Sequence, residues 1–454
     1  MIFSLRLCII VVDINRKDVR IMTEQLHILE LFAGVGGFRI GLENSNPELF
    51  VTKWANQWEP SKKSQDAFEV YNYQYPDSLN LNENIEEVPD EVLANMNADI
   101  IVGGFPCQDY SVARSKKGEL GIEGKKGVLF WQIIRAIKLI KPKYLILENV
   151  DRLLKSPSKQ RGRDFAVMLA SLNKLDYSVE WRVINAADYG RAQRRRRVFF
   201  FIYSNETNWA KKTDEQFKLE NKDLDLLGEE NGHRYDDYIY NEGLFARQFP
   251  VEPKPVKNRH SHGEILDDIA EMSDSFSGTI HNTGVMRHGH YYTIDTEAIA
   301  EEPITLSEIV VADNEVPEKY YITGDKLEKF EYLRGAKKIE RTSLTGHKYI
   351  YAEGGMSPHD ALDLPGRTML TSEGTVNRST HLLKIDERYR LITPIEAERM
   401  QDFPDDWTKY KKINTDEVVE VSDRMRMFFM GNALVTGVVK RIGDELSVIH
   451  KSNL

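Results

Sequence analysis

The sequence predicts an α/β protein in which a domain with a mostly parallel sheet is followed by a smaller, irregular, β-containing domain. Up to residue 205, apolar strand-like runs alternate with segments of helical periodicity, which is typical of parallel sheets. This alternation stops in 206–388, which is acidic at first and then carries scattered aromatic, glycine and histidine residues. Helical patterning returns in 394–402 and 433–446.

These changes divide the chain into four parts. Residues 1–21 are a doubtful N-terminal extension, which could be an edge strand or a weak export signal, but the stretch from Met22 reads as a natural start. We expect a catalytic and cofactor-binding domain in 22–205, a second domain in 206–388, and a C-terminal segment in 389–454 that returns to the first domain.

Local patterns predict the elements of the first domain in order. Apolar runs bounded by polar or glycine residues predict strands, and apolar residues at a spacing of 3.6 predict helices. The expected strands are 26–33, 50–58, 98–104, 142–150, 177–185 and 196–204, and the expected helices are 37–44, 61–73, 127–140 and 163–175.

Composition excludes several classes of protein. Only two cysteines, Cys8 and Cys107, occur in 454 residues, which rules out a disulfide scaffold and suits a reducing cytoplasm. No apolar stretch approaches the roughly 20 residues needed to cross a bilayer, so no membrane partner is expected. The net charge of −10 argues against a nonspecific coat on nucleic acid, although 114–126 and 191–197 are locally basic.

A glycine-rich turn follows the first strand in "ELFAGVGGF". Gly34, Gly36 and Gly37 permit a tight turn and the close approach of a ligand to backbone N–H groups. A dinucleotide fingerprint would need a further glycine near position 39, where Arg39 stands, and this weakens an NAD-binding interpretation.

Three later residues extend this cofactor hypothesis. Glu59 closes the second predicted strand, where a carboxylate can accept hydrogen bonds from ribose hydroxyls. Asn84 and Ile85 follow the next helix and could flank an adenine ring. Together with the glycines, they indicate an adenosine-containing cofactor at the carboxyl end of the sheet.

The stretch "GGFPCQDYS" contains Cys107 directly after the third strand. A lone thiol is usually inert packing. A zinc deaminase pairs Pro-Cys with a second cysteine three positions later, but Tyr110 stands there, so we predict no metal. Glu148 ends the fourth strand at the same sheet edge, and a cysteine beside a carboxyl group suits covalent attack with acid assistance.

A run of arginines, "QRRRR", precedes the last strand of the domain. Strand alternation puts Arg195 and Arg197 on one face and Arg194 and Arg196 on the other. Guanidinium groups on the first face can hold a phosphate or orient Glu148. The alternative interpretation is an edge strand protected by charge.

These motifs, in this order, resemble those of the DNA cytosine carbon-5 methyltransferases of bacterial restriction–modification systems. The resemblance covers most of 26–204 and 363–445. It rests on the segments "ILELFAGVGGF", "GGFPCQDYS", "LENV", "QRRRR", "GRTMLTSEGT", "YRLITPIEAERMQDFPDDW" and "GNALVTGVVKRI". It implies a Rossmann-like S-adenosylmethionine-dependent methyltransferase domain and a target-recognition domain in 206–388 that reads double-stranded DNA.

The resemblance also implies a set of cofactor contacts. They are Phe32, Gly34, Gly36, Glu59, Asn84, Ile85, Leu129 and Asn432. Three positions depart from the family pattern. Asn84 replaces a frequent aspartate, Pro60 replaces a larger apolar residue, and Asp402 replaces a common glycine.

The implied chemistry begins with attack of Cys107 on carbon 6 of a flipped-out cytosine. Glu148, with a raised pKa, would donate a proton or a hydrogen bond to ring nitrogen 3. Arg197 would orient Glu148, and Arg195 would hold the target nucleotide. The expected DNA contacts are Gln108, Ser111, Arg114 and Arg195, and loop 108–127 would close over the base.

We expect a cytoplasmic monomer, with a cognate endonuclease encoded nearby. Arg287, His288 and Lys348 should lie on the DNA-facing side of the recognition domain. Three alternatives are weaker. A transfer-RNA cytosine methyltransferase typically has a shorter recognition segment, and an inactive DNA-binding homologue should have lost Cys107 or Glu148. An NAD-dependent oxidoreductase leaves the cysteine, "LENV" and arginine motifs unexplained.

Overall fold

The structure is a computed structural model that describes residues 25–60, 62–105, 129–217, 235, 237–253, 259–343, 346–414 and 417–452. Within these residues, ten strands form the main sheet. They are β1 Leu26–Leu31, β2 Phe50–Asn56, β3 Leu79–Leu81, β4 Ile100–Gly104, β5 Tyr144–Val150, β6 Tyr177–Asn185, β7 Arg196–Ser204, β8 His260–Glu264, β9 Thr283–Arg287 and β10 His290–Ile294. Three small sheets contain β11 Tyr321–Ile322, β12 Lys337–Thr342, β13 Lys348–Glu353, β14 Leu382–Ile385, β15 Arg388–Leu391, β16 Tyr410–Ile413 and β17 Glu417–Glu420.

The α-helices connect and cover these strands. They are α1 Gly37–Ser45, α2 Asp66–Gln74, α3 Asp90–Ala94, α4 Leu129–Ile140, α5 Arg163–Asn173, α6 Asn208–Phe217, α7 Leu244–Gln248, α8 Ile269–Ser275, α9 Leu306–Ile309, α10 Asp325–Arg334, α11 Pro394–Met400, α12 Asp423–Asn432 and α13 Thr436–Lys451. In the part of the chain that the structure describes, no helix is long and apolar enough to span a membrane.

The main sheet runs in the order β3-β2-β1-β4-β5-β7-β6-β9-β10-β8. The first five strands of this order are parallel, and β7 is antiparallel to both β5 and β6. The register pairs Gly104 with Glu148 and Val150 with Arg197. The ends of β4 and β5 therefore meet the start of β7 at one edge, which we call the carboxyl edge.

Both faces of the sheet are apolar, because alternating side chains of each strand point to opposite faces. Helices cover both of these faces. Ile28 packs in a cluster that includes α1 and α13, whereas Leu29 packs in one that includes α4 and α5. Helix α13 lies close to α1, since a Cβ on Gly41 would come within 2.5 Å of the Val439 side chain. The C-terminal helix thus completes the layer beside β1.

The first part of segment 206–388 continues the main sheet. Strand β9 pairs with β6 through the register Trp181 with Gly284, and β10 and β8 follow at the sheet edge. Gly284 is required there because a Cβ would lie 2.2 Å from the indole of Trp181. The small sheets begin only beyond residue 305.

The prediction that Arg287 and His288 lie on a DNA-facing surface was wrong. Arg287 is fully buried and donates to the carbonyl of Ala210 and to the carboxylate of Asp214, which His288 also contacts at 2.8 Å. Both residues stand at the end of β9 opposite the carboxyl edge, because β9 runs antiparallel to β6. They cannot form part of a surface beside the predicted catalytic residues.

Candidate active site

The glycine turn opens at the carboxyl edge directly after β1. Phe32, Gly34 and Gly36 all adopt positive φ angles, of 55°, 55° and 92°. The N–H of Gly34 donates to Oε1 of Gln57 at 2.8 Å, which ties the turn to the segment after β2. A Cβ on Gly34 would meet no atom of the described residues within 4 Å, so among these residues the space above the turn is open.

Glu59 lies three residues after the end of β2, later than the sequence predicted. Gln65 holds its backbone, donating to the Glu59 carbonyl and accepting from the Glu59 N–H, each at 2.9 Å. Partial burial raises the pKa of the Glu59 carboxyl group, and Lys62 opposes that rise. Within the described ranges, the carboxylate accepts no hydrogen bond, so it remains available to a ligand.

The segment after β3 adds an apolar wall. Ile85 is buried, and its carbonyl accepts a hydrogen bond from Arg135 of α4 at 3.1 Å. Asn84 is half-buried, and its Oδ1 accepts a hydrogen bond from the N–H of Glu86 at 3.3 Å. This hydrogen bond stabilises the turn that contains Asn84. Leu129, the first residue of α4, is half-buried beside the same apolar cluster.

Glu148 and Arg197 form an ion pair at the carboxyl edge, with 2.8 Å between Nε of Arg197 and Oε1 of Glu148. Burial raises the pKa of the Glu148 carboxyl group, and the charges of Arg197 and Arg195 partly oppose this. Oε2 of Glu148 lies over the neighbouring strand, because a Cβ on Gly104 would be 3.1 Å from it. The carboxyl group therefore sits beside the end of β4, from which the chain continues into the Pro-Cys motif.

Asn149 fixes that strand end. Its Nδ2 donates to the carbonyl of Phe105 at 2.8 Å, and its Oδ1 accepts from the N–H of Val150. Asn149 therefore braces the chain just after β4. Cys107, Gln108, Ser111 and Arg114 lie outside the described residues, and their assigned roles stay predictions.

Comparison with known proteins identifies the family of this chain. The sequence profile described as C-5 cytosine-specific DNA methylase matches residues 26–448. This chain belongs to that family. The type II methyltransferase M.Sau3AI of Staphylococcus aureus is 53% identical over 425 residues, which cover 94% of this chain and 96% of that protein. M.HhaI of Haemophilus parahaemolyticus is 34% identical over 183 residues, 40% of this chain and 50% of that protein.

Solved structures share the fold of this methylase. A mutant of Spodoptera frugiperda DNMT2 superposes with a TM-score of 0.54 at 14% identity, over 94% of this chain and all of that one. The Dnmt2 methyltransferase of S. pombe gives a TM-score of 0.55 at 12% identity, over 94% of this chain and 99% of that one. These superpositions confirm the predicted α/β methyltransferase fold. The family profile and the similarity to M.Sau3AI confirm the family resemblance, and the chain is a DNA (cytosine-5) methyltransferase.

Arg195 of the methylase joins three segments of the chain. It is buried, and its two terminal nitrogens donate to the carbonyls of Met369 and Gly431, each at 3.1 Å. Burial, together with the charge of Arg197, lowers the pKa of Arg195. A contact of Arg195 with the target nucleotide stays a prediction. The observed hydrogen bonds hold Gly431, and with it the neighbouring Asn432, beside the carboxyl edge.

Gln193 is a residue to which the sequence assigned no role. Its Oε1 accepts from the N–H of Met369 at 2.8 Å, and its Nε2 donates to the carbonyl of Met400 at 3.2 Å. Next to it, the N–H of Arg194 donates to the carbonyl of Gly366 at 2.8 Å. The first residue of the "QRRRR" motif thus attaches the segment from Gly366 to the carboxyl edge, a contact between distant segments that no local pattern could reveal.

Proposed function

We propose that this methylase transfers a methyl group from S-adenosylmethionine to carbon 5 of one cytosine in a specific double-stranded DNA sequence, as the protective enzyme of a restriction–modification system. Similarity to the type II methyltransferase M.Sau3AI over nearly the full length of both proteins supports this role. We further propose that it acts in the cytoplasm as a monomer, beside a cognate endonuclease encoded nearby.

The residues at the carboxyl edge fit the cofactor. The open space above Gly34 admits a ligand close to the backbone, and the Glu59 carboxylate can accept hydrogen bonds from ribose hydroxyls. Ile85 offers an apolar surface for an adenine ring. When bound, S-adenosylmethionine supplies an electrophilic methyl group.

The ion pair between Glu148 and Arg197 is the observation that carries the chemical proposal. Cytosine must leave the base stack to reach it, at a cost of a few kcal/mol. The thiolate of Cys107 then forms a bond to carbon 6, while Glu148 donates a proton to ring nitrogen 3, so that no negative charge accumulates on the ring. This addition makes carbon 5 electron-rich and able to accept the methyl group.

The reaction ends by elimination. A base removes the proton from carbon 5, the bond from Cys107 to carbon 6 breaks with its electron pair returning to sulfur, and the proton on nitrogen 3 returns to Glu148. Arg197 holds the Glu148 carboxyl group toward Gly104 throughout, because the ion pair restricts its rotation.

We propose that DNA sequence is read by a narrower unit than 206–388, namely the small sheets and helices of residues 305–391. Its β12–β13 hairpin is largely exposed and carries Lys338, Arg341 and Lys348, and a two-stranded ribbon fits the major groove of B-DNA. Arg378 attaches the hairpin base through Glu353 at 3.1 Å. The same chain segment includes Met369, which accepts a hydrogen bond from Arg195.

Substitution of the nucleophile tests the proposed reaction. Cys107→Ala should abolish methyl transfer to duplex DNA while DNA binding persists. With 5-fluorocytosine at the target, fluorine cannot leave as a proton does, so the unaltered protein should form a stable adduct at Cys107. Methyl transfer by Cys107→Ala, or methylation of transfer RNA in place of duplex DNA, would contradict the proposal.

A further inference from the structure

The segment that joins β5 to α5 carries an unneutralised positive charge, and we refer to residues 151–162 as the basic loop. We propose that the basic loop binds backbone phosphates of the duplex that flanks the flipped cytosine. This proposal rests on the proposed function, since it assumes that duplex DNA enters the site at the carboxyl edge.

Four exposed cations of the basic loop have no acidic partner among the described residues. They are Arg152, Lys155, Lys159 and Arg161. The two carboxylates that flank this segment in sequence are already engaged: Asp151 pairs with Arg196 at 3.2 Å, and Asp164 pairs with Arg163 at 2.8 Å. The whole chain has a net charge of −10, so this cluster of positive charge runs against the overall composition and is a local feature.

The backbone beneath these cations is fixed by contacts that do not use them. Leu153 and Leu154 are buried in the core, and the hydroxyl of Ser156 donates to Asp164 at 2.6 Å. Nε2 of Gln160 donates to the carbonyls of Ser273 at 2.9 Å and Phe276 at 3.1 Å. A rigid support lowers the entropy lost when the side chains meet a ligand, so the loop is preorganised for binding.

The position of the basic loop selects DNA phosphate as its occupant. The loop begins immediately after β5, three residues beyond Glu148, and therefore starts at the carboxyl edge. It leads into α5, which covers the sheet face opposite α1 and α13. A duplex whose target base reaches Glu148 comes close to the start of this loop, and its regularly spaced negative charges match an array of exposed cations.

Removal of two charges tests the proposal. Lys159→Gln with Arg161→Gln should weaken binding of a duplex, and the slope of log affinity against log salt should become shallower by about 2, because each lost phosphate contact contributes about 0.9. At 0.1 M salt this corresponds to a loss of affinity of about tenfold or more. The loss should be equal for target and non-target duplexes, since phosphates carry no sequence information.

A matched control removes the same charge elsewhere. Lys211→Gln with Lys212→Gln alters two exposed residues of α6, which follows β7 at the edge opposite the catalytic residues. This control should keep the salt dependence of the unaltered protein. If both double variants show the same slope and affinity as the unaltered protein, or if both lose affinity equally, the basic loop is an ordinary solvated surface and the proposal is overturned.

The result can be separated from failure of the proposed function. Covalent capture of 5-fluorocytosine DNA by the unaltered protein tests that function alone. Capture by the unaltered protein, with unchanged salt dependence in the basic-loop variant, overturns only the present proposal. Absence of capture and of duplex binding by the unaltered protein would overturn both.

Discussion

Arg197 and Glu148 meet across the ladder between β5 and β7 in a diagonal contact. In the register Arg197 faces Val150 and Glu148 faces Phe199, yet Nε of Arg197 reaches Oε1 of Glu148 at 2.8 Å. Burial raises the pKa of this carboxyl group and Arg197 lowers it, so the two effects set how readily Glu148 holds a proton. Two predictions concern this balance.

Replacement of Glu148 by glutamine should remove proton donation and leave the shape of the site. We expect Glu148→Gln to reduce turnover by about 10²–10⁴-fold, the usual contribution of a general acid. Single-turnover methylation of duplex DNA measures the loss, and Glu264→Gln on exposed β8 serves as the control. Turnover of Glu148→Gln within tenfold of the unaltered protein would exclude an acid role.

Replacement of Arg197 by glutamine should change the pH dependence. Glu148 donates a proton only when protonated, so its contribution is present below its pKa and is lost as pH rises through it. Arg197→Gln removes a charge that lowers the pKa of Glu148, so the alkaline fall in turnover should move to higher pH. A profile of kcat against pH checks this. Arg197→Lys should retain much of the original profile. If the role of Arg197 were purely structural, Arg197→Gln would lower kcat equally at every pH.

A second buried carboxyl group lies behind the cofactor turn. Glu30 accepts from the Tyr71 hydroxyl at 2.9 Å and from the N–H of Arg39 at 3.4 Å. Burial raises the pKa of Glu30 to about 7, although Tyr71 and Arg39 lower it and Glu43 adds a small rise. The ring of Tyr75 lies 5.0 Å from that of Tyr71, and burial also raises the pKa of Tyr75.

The raised pKa of Glu30 predicts a pH-dependent stability. The pKa of Glu30 is higher in the folded protein than in the unfolded chain. Its contribution to the free energy of unfolding is therefore full below pH 4.5 and is lost as pH rises through about 7. Glu30→Gln should therefore match the unaltered protein near pH 5 and exceed it at pH 8, by up to about 3 kcal/mol in unfolding free energy. Urea denaturation at both pH values tests this, and a stability gap that is the same at pH 5 and pH 8 would argue against it.

The β12–β13 hairpin should control sequence discrimination. Arg341 stacks over the ring of Tyr351 at 4.0 Å, and Lys348 is exposed on the facing strand. Arg341→Ala with Lys348→Ala should reduce discrimination between the target and sites with one substituted base, by about 1–3 kcal/mol for each lost base contact. Bisulfite sequencing of a methylated site library measures this. Lys326→Ala with Lys329→Ala, on exposed α10 of the same unit, should leave discrimination unchanged.

Much of the fold up to residue 204 was predictable from the sequence, because buried strands and amphipathic helices have strong local periods. Strands β6 and β7 begin and end where the sequence predicted. Short elements with weak patterns, such as β3 and α3, were missed. The joining of β9 to β6 was also not predicted, because strand pairing between distant segments depends on long-range packing, such as Gly284 against Trp181.

The position of a residue at the carboxyl edge was predictable where a motif stands at a strand end, as for Gly34 and Glu148. Arg287 could not be predicted correctly, because a buried arginine that pairs with Asp214 has the same local signature as an exposed one. Asp402 departs from a common glycine in the family pattern, and the structure shows why a glycine suits that position. Its φ angle is 57°, in the left-handed region that glycine adopts most readily.

The contact between α1 and α13 has a consequence for biosynthesis. Helix α1 begins at the glycine turn and is made early, but the side chains that cover its outer face, including Val439, belong to α13, which is made after all the other described elements. A nascent chain therefore carries an apolar face without its partner until α13 has been synthesised. A truncated polypeptide that contains every predicted catalytic motif up to β7 would still lack this cover, so active enzyme should accumulate only from chains that extend through α13.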